Sequence, residues 1–252
     1  MKIGIIGFGD MGRSLITGLI KQGVPAKDIV VCDKSDRAVK KAGDLNLETA
    51  DTDTIAEKCD AVLIAIPKKA FTEMADEWKK FSGKLIFSCM AEVKMRELKA
   101  YFDGQIVRVI PTLAAENGLS IVGICFDEKA EAAGNKERIK EMFSKVGTVI
   151  DCTEEELAPL TALAACGLCY AAYILDCFIN TAENLGFDRE VGQNIVEKTF
   201  HAAMELGDYE LVIGKIAGRG GITISGVNVM NEGNVHKNID TAFKTAYGAL
   251  LK

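Results

Sequence analysis

Apolar and polar positions change their rhythm partway along the chain. In the first half, short unbroken apolar runs alternate with stretches of helical spacing. Ile3-Gly4-Ile5-Ile6 is the first run, and Ile29-Val30-Val31, between Asp28 and Asp33, is the second. Ala61-Val62-Leu63-Ile64-Ala65-Ile66 is stopped by Pro67, and Leu85-Ile86-Phe87 and Ile106-Val107-Arg108-Val109-Ile110 follow. Runs with no polar side predict strands covered on both faces. Between the first two, Met11, Ser14, Leu15, Gly18 and Leu19 recur at helical spacing, and Gly23 and Pro25 close the segment. Ile121 to Phe126 and Thr148-Val149-Ile150 read as later strands. A helix carrying Ile139, Met142, Phe143 and Val146 on one face separates them. The alternation predicts a mostly parallel sheet with helices on both faces.

After Cys152 no strand pattern of comparable quality remains. Helical segments are predicted from about Glu154 to Leu185, Asp188 to Leu206 and Val235 to Leu251. The pattern therefore divides into an α/β domain over residues 1–152 and an all-helical domain over 153–252. Leu157 to Leu175 carries no charged residue, and its length approaches the ~20 residues of a membrane span. Pro159, Gly167, several Ala and Cys, and the acidic Glu154-Glu155-Glu156 in front favour a helix covered at a subunit interface. An oligomer is expected, and no membrane.

Composition adds bounds. At 252 residues and ~150 residues per domain, two domains fit. Hydrophobic residues make up 48% and charged residues 26%, which is ample for a core. A formal net charge of -6, with Lys and Arg scattered, argues against nucleic acid or an anionic membrane as partner. Eight cysteines form no small-scaffold framework and read as buried free thiols in a reducing cytoplasm. Cys166-x-x-Cys169 could serve redox or metal chemistry, but it lacks a second ligand pair. No leader is expected before the first strand, so a cytoplasmic protein is expected. His201 and His236 sit in helical contexts without a paired nucleophile.

Two glycine signatures carry the candidate chemistry. Gly7-Phe8-Gly9-Asp10-Met11-Gly12 fits G-x-G-x-x-G, and it lies where a strand ends and a helix opens. This marks the domain as Rossmann-type. The first glycine allows a tight turn, the second lets pyrophosphate approach, and the third lets helix and strand pack. Asp33 ends the second strand, placed to bond a ribose 2′-hydroxyl; Lys34, Ser35 and Arg37 just beyond could hold a 2′-phosphate instead. NADPH and NADH both stay open. Ala65-Ile66-Pro67-Lys68 and Ser88-Cys89-Met90 are expected to flank the nicotinamide, since ligands sit at strand carboxyl ends. The second signature is Gly218-Arg219-Gly220-Gly221-Ile222-Thr223-Ile224-Ser225-Gly226. It reads as a loop with free N–H groups leading into a helix near Thr223, suited to a carboxylate or phosphate. The Thr223 hydroxyl can cap that helix or touch the ligand.

With both signatures in view, the chain resembles pyrroline-5-carboxylate reductases nearly end to end. The family's G-x-G-x-M-G appears as Gly7 to Gly12, its V-R-V-M-P as Val107-Arg108-Val109-Ile110-Pro111, and its T-A-L as Thr161-Ala162-Leu163. Its carboxyl-terminal signature matches Gly220, Gly221, Thr223, Gly226, Val227, Met230 and Asn231. The chain departs from P-N-T-P at Pro111-Thr112-Leu113-Ala114 and from S-G-S-G-P-A-Y at Ala164 to Tyr170. It also departs from S-P-G-G at Gly218 to Gly221, and from A-V-K-P-Q at Ala65 to Lys69. The resemblance implies reduction of the cyclic imine 1-pyrroline-5-carboxylate to L-proline, the last step of proline biosynthesis, by NADPH or NADH. Gly220 and Gly221 would hold the substrate carboxylate, and Thr223 would be the catalytic contact to ring nitrogen or carboxylate. Arg219 would add charge for the carboxylate or face solvent. Interleaved homodimers are implied, with rings of dimers left open.

Rivals stay in play: a reductase of this architecture acting on another imine or carboxylate, or a non-catalytic nucleotide-binding paralogue. Hydroxyacid dehydrogenases of the related class carry a catalytic Lys in the first long helix of their second domain, and this chain has no lysine between Lys145 and Lys198. The carboxyl-terminal signature argues against a nicotinamide–deazaflavin oxidoreductase.

Overall fold

A computed structural model describes residues 1–218 and 221–251. The apolar runs do become strands: β1 (Ile3–Ile6), β2 (Ile29–Cys32), β4 (Ala61–Ile64), β5 (Leu85–Ser88), β6 (Ile106–Ile110), β7 (Ser120–Phe126) and β8 (Gly147–Asp151). β3 (Glu48–Thr49) is too short and too exposed to leave an apolar pattern. All eight form one sheet in the order β3-β2-β1-β4-β5-β6-β7-β8. Neighbours run parallel except β6 and β7. Only a loop with the 3-10 turn Leu113–Asn117 joins that pair, and a parallel return needs a dozen residues or more, usually a helix.

The crossovers are α1 (Asp10–Lys21), α2 (Asp36–Asp44), α3 (Thr52–Lys58), α4 (Lys68–Glu73), α5 (Met95–Leu98), α6 (Glu128–Ala132) and α7 (Lys136–Ser144). Strand side chains alternate between two cores. Ile5, Leu63 and Phe87 join one with Leu15 and Phe143; Ile6, Val62 and Ile86 join the other with Ile55 and Trp78. Trp78 is fully buried and its Nε1 donates to Phe71 O at 2.8 Å. The chain runs from β1 outward to β2 and β3, then returns to β4 on the far side of β1. This reversal opens a crevice at the carboxyl ends of β1 and β4.

By contacts the chain divides into Met1–Ala165, with the residues from Tyr247 onward, and Cys166–Ala246. In the first unit, α8 (Glu154–Thr161) opens with a capping box of Thr153 and Glu156 and lays Leu157 and Leu160 over Gly123. The helix expected to run unbroken to Leu185 changes its ladder. Pro159 withholds a donor inside α8, and a π-helical turn follows at Ala162–Cys166.

The second unit holds α9 (Gly167–Asn184), α10 (Arg189–Leu206), α11 (Tyr209–Ile216), α12 (Ile222–Glu232) and most of α13 (Val235–Leu250). α11 was not anticipated; Asp208 caps it by accepting Leu211 N at 3.0 Å. α9 and α10 pack closely where Gly192 meets Ala182, and Tyr170 stacks edge-on to Phe243. Little else in this unit is covered. The helical run Glu154–Asn184 has a mean hydropathy of 1.8 in its most apolar window, long and apolar enough to cross a membrane by length and composition, yet only 11% of that window is buried.

Candidate functional site

The three glycines of the first signature meet three different surroundings. Gly7 has φ +98°, and a Cβ there would lie 2.5 Å from Ala65 O. Gly12 packs so tightly that a Cβ would lie 2.3 Å from Gly7 O. Gly9 faces open space, with nothing within 4 Å of a Cβ. Two glycines thus close the strand–turn–helix and the middle one leaves room for a ligand. The first helical bond of α1 runs from Arg13 N to Gly9 O at 2.9 Å. The amides of Asp10, Met11 and Gly12 therefore have no acceptor among the described residues. Gap, free donors and helix dipole together fit a pyrophosphate.

α1 itself is anchored from behind. Ser14 Oγ donates to Leu113 O at 2.6 Å and accepts Glu116 N at 3.1 Å. Gly18 lets the helix approach until a Cβ would sit 2.0 Å from Ala115 O.

Asp33 braces the loop. Its Oδ2 accepts Phe8 N at 2.6 Å and its Oδ1 accepts Ser35 N at 2.8 Å. Each oxygen keeps a lone pair for a ribose hydroxyl. On one side lies a hollow of about 250 Å³ among Phe8, Gly9, Asp10, Asp33, Ser35, Arg37 and Lys41. Lys34, Arg37 and Lys41 make no ion pair among the described residues. Lys41 escaped the sequence reading, although it lies one helical turn after Arg37 on α2. On the other side a hollow of about 560 Å³ joins Gly7, Asp33 and Lys34 to Ile66, Pro67, Ala70 and Met74. Ile66 and Pro67 thus line the same hollow as Asp33.

Lys68 opens α4 and Cys89 directly follows β5. The Lys68 ammonium is committed to Glu97 Oε2 at 2.9 Å and to Glu92 O at 3.2 Å. Cys89 N extends the ladder by donating to Ile64 O at 2.9 Å. Burial pushes the Cys89 thiol up to about 12 and the Cys125 thiol to about 11, so both stay protonated at neutral pH. All eight cysteines are free. Cys169 and Cys177 are exposed rather than buried, because they lie on the uncovered face of α9. Among the described residues, no group of three or more His, Cys, Asp or Glu is arranged to hold a metal. A hollow of about 590 Å³ lies at the opposite, amino-terminal edge of β5 and β6. Its Lys99 and Lys129 are spent on Glu128 and on Asp103 O.

In the second signature, Arg219 and Gly220 lie outside the described residues. Gly221 is the N-cap of α12, extended at φ -82° and ψ 164°, with no side-chain cap. Thr223 is the second helical residue, exposed, and its hydroxyl has no partner among the described residues. Capping does not consume that hydroxyl. What stands ready is a group of first-turn amides and a free Oγ1.

Known proteins share this layout. Residues 2–92 match the family described as NADP oxidoreductase coenzyme F420-dependent, and residues 154–250 match pyrroline-5-carboxylate reductase dimerisation. A pyrroline-5-carboxylate reductase of Aquifex aeolicus is 26% identical over 240 residues, covering 92% of this chain and 89% of that one. One from Haemophilus influenzae is 24% identical over 256 residues, covering 96% and 93%. Among solved structures, the pyrroline carboxylate reductase of Plasmodium falciparum with NADP bound superposes with a TM-score of 0.89 at 19% identity, covering 99% of this chain and 97% of that one. The 1-pyrroline-5-carboxylate reductase of Streptococcus pyogenes gives 0.90 at 21%, covering 99% and 98%. At these identities the structures support the fold.

Proposed function

The chain belongs to the pyrroline-5-carboxylate reductase family; on that premise we propose that it reduces 1-pyrroline-5-carboxylate to L-proline with NADPH or NADH. The observation that carries this reading is a pairing within one chain. A glycine loop opens only at Gly9, and residues 154–250 match the dimerisation domain named for that enzyme.

A bound nicotinamide supplies the hydride equivalent. The chain's own residues have the simpler task of holding and orienting. The amides of Asp10, Met11 and Gly12 would grip the pyrophosphate. Asp33 would meet the ribose hydroxyls, and Lys34, Ser35, Arg37 and Lys41 would meet a 2′-phosphate where one is present. Ile66 and Pro67 offer an apolar wall to the adenine. Gly220 and Gly221, with Arg219, would hold the substrate carboxylate. Thr223 Oγ1 would bond the ring nitrogen or the carboxylate. A cyclic imine protonates readily, so positioning supplies most of the rate.

The working division stays at 152/153, since the dimerisation match begins at residue 154. A homodimer covers the apolar helices, and dimers assemble further into a ring. On this reading the apolar run through α8 and α9 faces a partner chain, not a membrane. Eight free cysteines fit a cytoplasmic protein.

The test is oxidation of NADPH and of NADH in the presence of 1-pyrroline-5-carboxylate, with proline identified as product. Thr223→Ala should lower kcat at least tenfold while cofactor affinity holds. Cofactor binding without turnover would leave the reading without support. One observation favours a second substrate: Leu113, 52% exposed at the exit of β6, stands where the family carries a polar residue. Turnover of a different, more apolar cyclic imine would then replace the proline assignment.

A further inference from the structure

The turn after β5 is held by its own backbone carbonyls. Arg108 Nη2 donates to Met90 O at 3.1 Å and to Ala91 O at 2.9 Å. Lys68 Nζ donates to the next carbonyl, Glu92 O, at 3.2 Å. Three successive carbonyls are thus gripped by two cations, one from β6 and one from the exit of β4. Each cation has its own carboxylate. Arg108 Nη1 meets Glu154 Oε1 at 2.8 Å, and Lys68 meets Glu97 Oε2 at 2.9 Å. Each carboxylate also accepts an amide at the start of α5: Met95 N to Glu154 at 2.9 Å, and Lys94 N to Glu97 at 3.2 Å. The segment from Met90 to Met95 is therefore fixed through its carbonyls at one end and its amides at the other.

Arg108 is the unusual member. It is 3% exposed, inside a strand that is otherwise apolar. Its Nε and the Oε2 of Glu154 are buried without partners. The Arg108 side chain is 4% exposed and that of Glu154 28%; a pair that takes one charge out of water is often no more stabilising than apolar side chains of the same volume, so stability alone does not explain it. Its place in the sheet does. Ser88 sits opposite Arg108 and opposite Ile64, and Ile64 sits opposite Ile6, which ends at the glycine loop. The strapped turn therefore lies along the same carboxyl edge as the dinucleotide cradle, two strands on, where the distal half of a dinucleotide would arrive.

We propose that Arg108, braced by Glu154, is a positioning residue for hydride transfer: it sets the Met90–Glu92 turn as a rigid wall against the nicotinamide ring. The proposal rests on the dinucleotide reading above. Arg108→Lys keeps the charge but loses the fork that holds two carbonyls. Glu154→Gln keeps both acceptor contacts and loses the charge. Both should fold, as judged by circular dichroism. Both should bind NADPH within about threefold of the native affinity, because the pyrophosphate grip is elsewhere. Emission of the bound nicotinamide should change in both, and this readout needs no turnover. With substrate, kcat should fall about 10- to 100-fold, the size expected of a misplacement near 1 Å. The deuterium isotope effect from 4-deuterated NADPH should rise as the hydride step becomes limiting. Arg108→Met should show the same pattern, more strongly.

A lower melting temperature with unchanged emission, kcat and isotope effect would make the pair purely structural and overturn the proposal. A loss confined to NADPH affinity would overturn it too. If the native protein binds NADPH but leaves 1-pyrroline-5-carboxylate unreduced, the substrate reading fails by itself; the emission change then still decides the role of Arg108.

Discussion

The sheet unit and the helical unit obey the same rule of apolar patterning and end in opposite states. In the first, Trp78, Phe81, Phe87 and Phe143 are wholly buried within the chain. In the second, burial is confined to Ala182, Gly192 and Val196 among the described residues. Leu185 is 75% exposed, Tyr173 71% and Ile222 96%. A sheet with crossovers closes over its own strands. Helices with apolar stripes on more than one side leave stripes uncovered, and contiguous exposed apolar side chains mark an interaction surface. The dimerisation match spans this region. One unit buries its large apolar side chains within one copy, and the other leaves most of its own exposed.

The largest expected effect tests that contrast directly. Ile213 and Ile216 on α11 are 56% and 58% exposed. Changing both to Asp should abolish the dimer in sedimentation velocity. Each isoleucine removed from water contributes about 1.5–3 kcal/mol, and a dimer loses each twice. The native protein should also melt higher as its concentration rises. A monomer whose melting point is unchanged over a hundredfold dilution would break the comparison.

Legibility in the sequence followed the same divide between local and distant causes. Gly7, Gly9 and Gly12 could be read one by one, because each answers to the few residues around it. The apolar runs gave the strands, because a strand buried on both faces needs no partner to be recognised. The helix after Gly221 was visible, but the fact that no side chain caps it was not. In the sequence Arg108 is visible as one member of an apolar run and of a family motif. Its partners Met90, Ala91 and Glu154 come from separate elements, and the topology alone brings them together. Lys68 reads as a cofactor contact because it follows a strand end; its pairing with Glu97, from a separate element, leaves no mark in the pattern. The antiparallel β7 depends on the length of a loop, which periodicity does not weigh.

A second contrast sits inside the sheet unit, and its effect is of middle size. Gly18→Ala forces a Cβ to within 2.0 Å of a backbone oxygen on the turn that seats α1. It should lower stability by about 1–3 kcal/mol through overpacking, seen as an earlier denaturant midpoint. Gly9→Ala meets nothing within 4 Å and should leave the midpoint unchanged while weakening NADPH binding at least tenfold. If Gly9→Ala destabilises the protein like Gly18→Ala, the gap at Gly9 is a packing feature and the cradle assignment fails.

The smallest effect concerns the polar straps at the edge of the sheet unit. Burial works to raise the Glu97 carboxyl, but the hydrogen bonds from Lys68 and Lys94 N outweigh it and hold the group below its ordinary value. A carboxyl depressed in the folded state contributes stability that is complete above its unfolded pKa, near ~4.3. That contribution is lost as pH falls through the lower folded value. The Lys68 and Glu97 side chains are 39% and 33% exposed, so solvent screening limits the pair to below about 1 kcal/mol. Glu97→Gln should therefore shift the denaturant midpoint slightly at pH 7, and the difference from native should fade below the ordinary carboxylate range. Salt should shrink it as well. A loss larger than that of Gly18→Ala would mean that the straps, rather than the apolar closure, hold the sheet unit together, and the contrast with the open helical unit would have to be redrawn around charge.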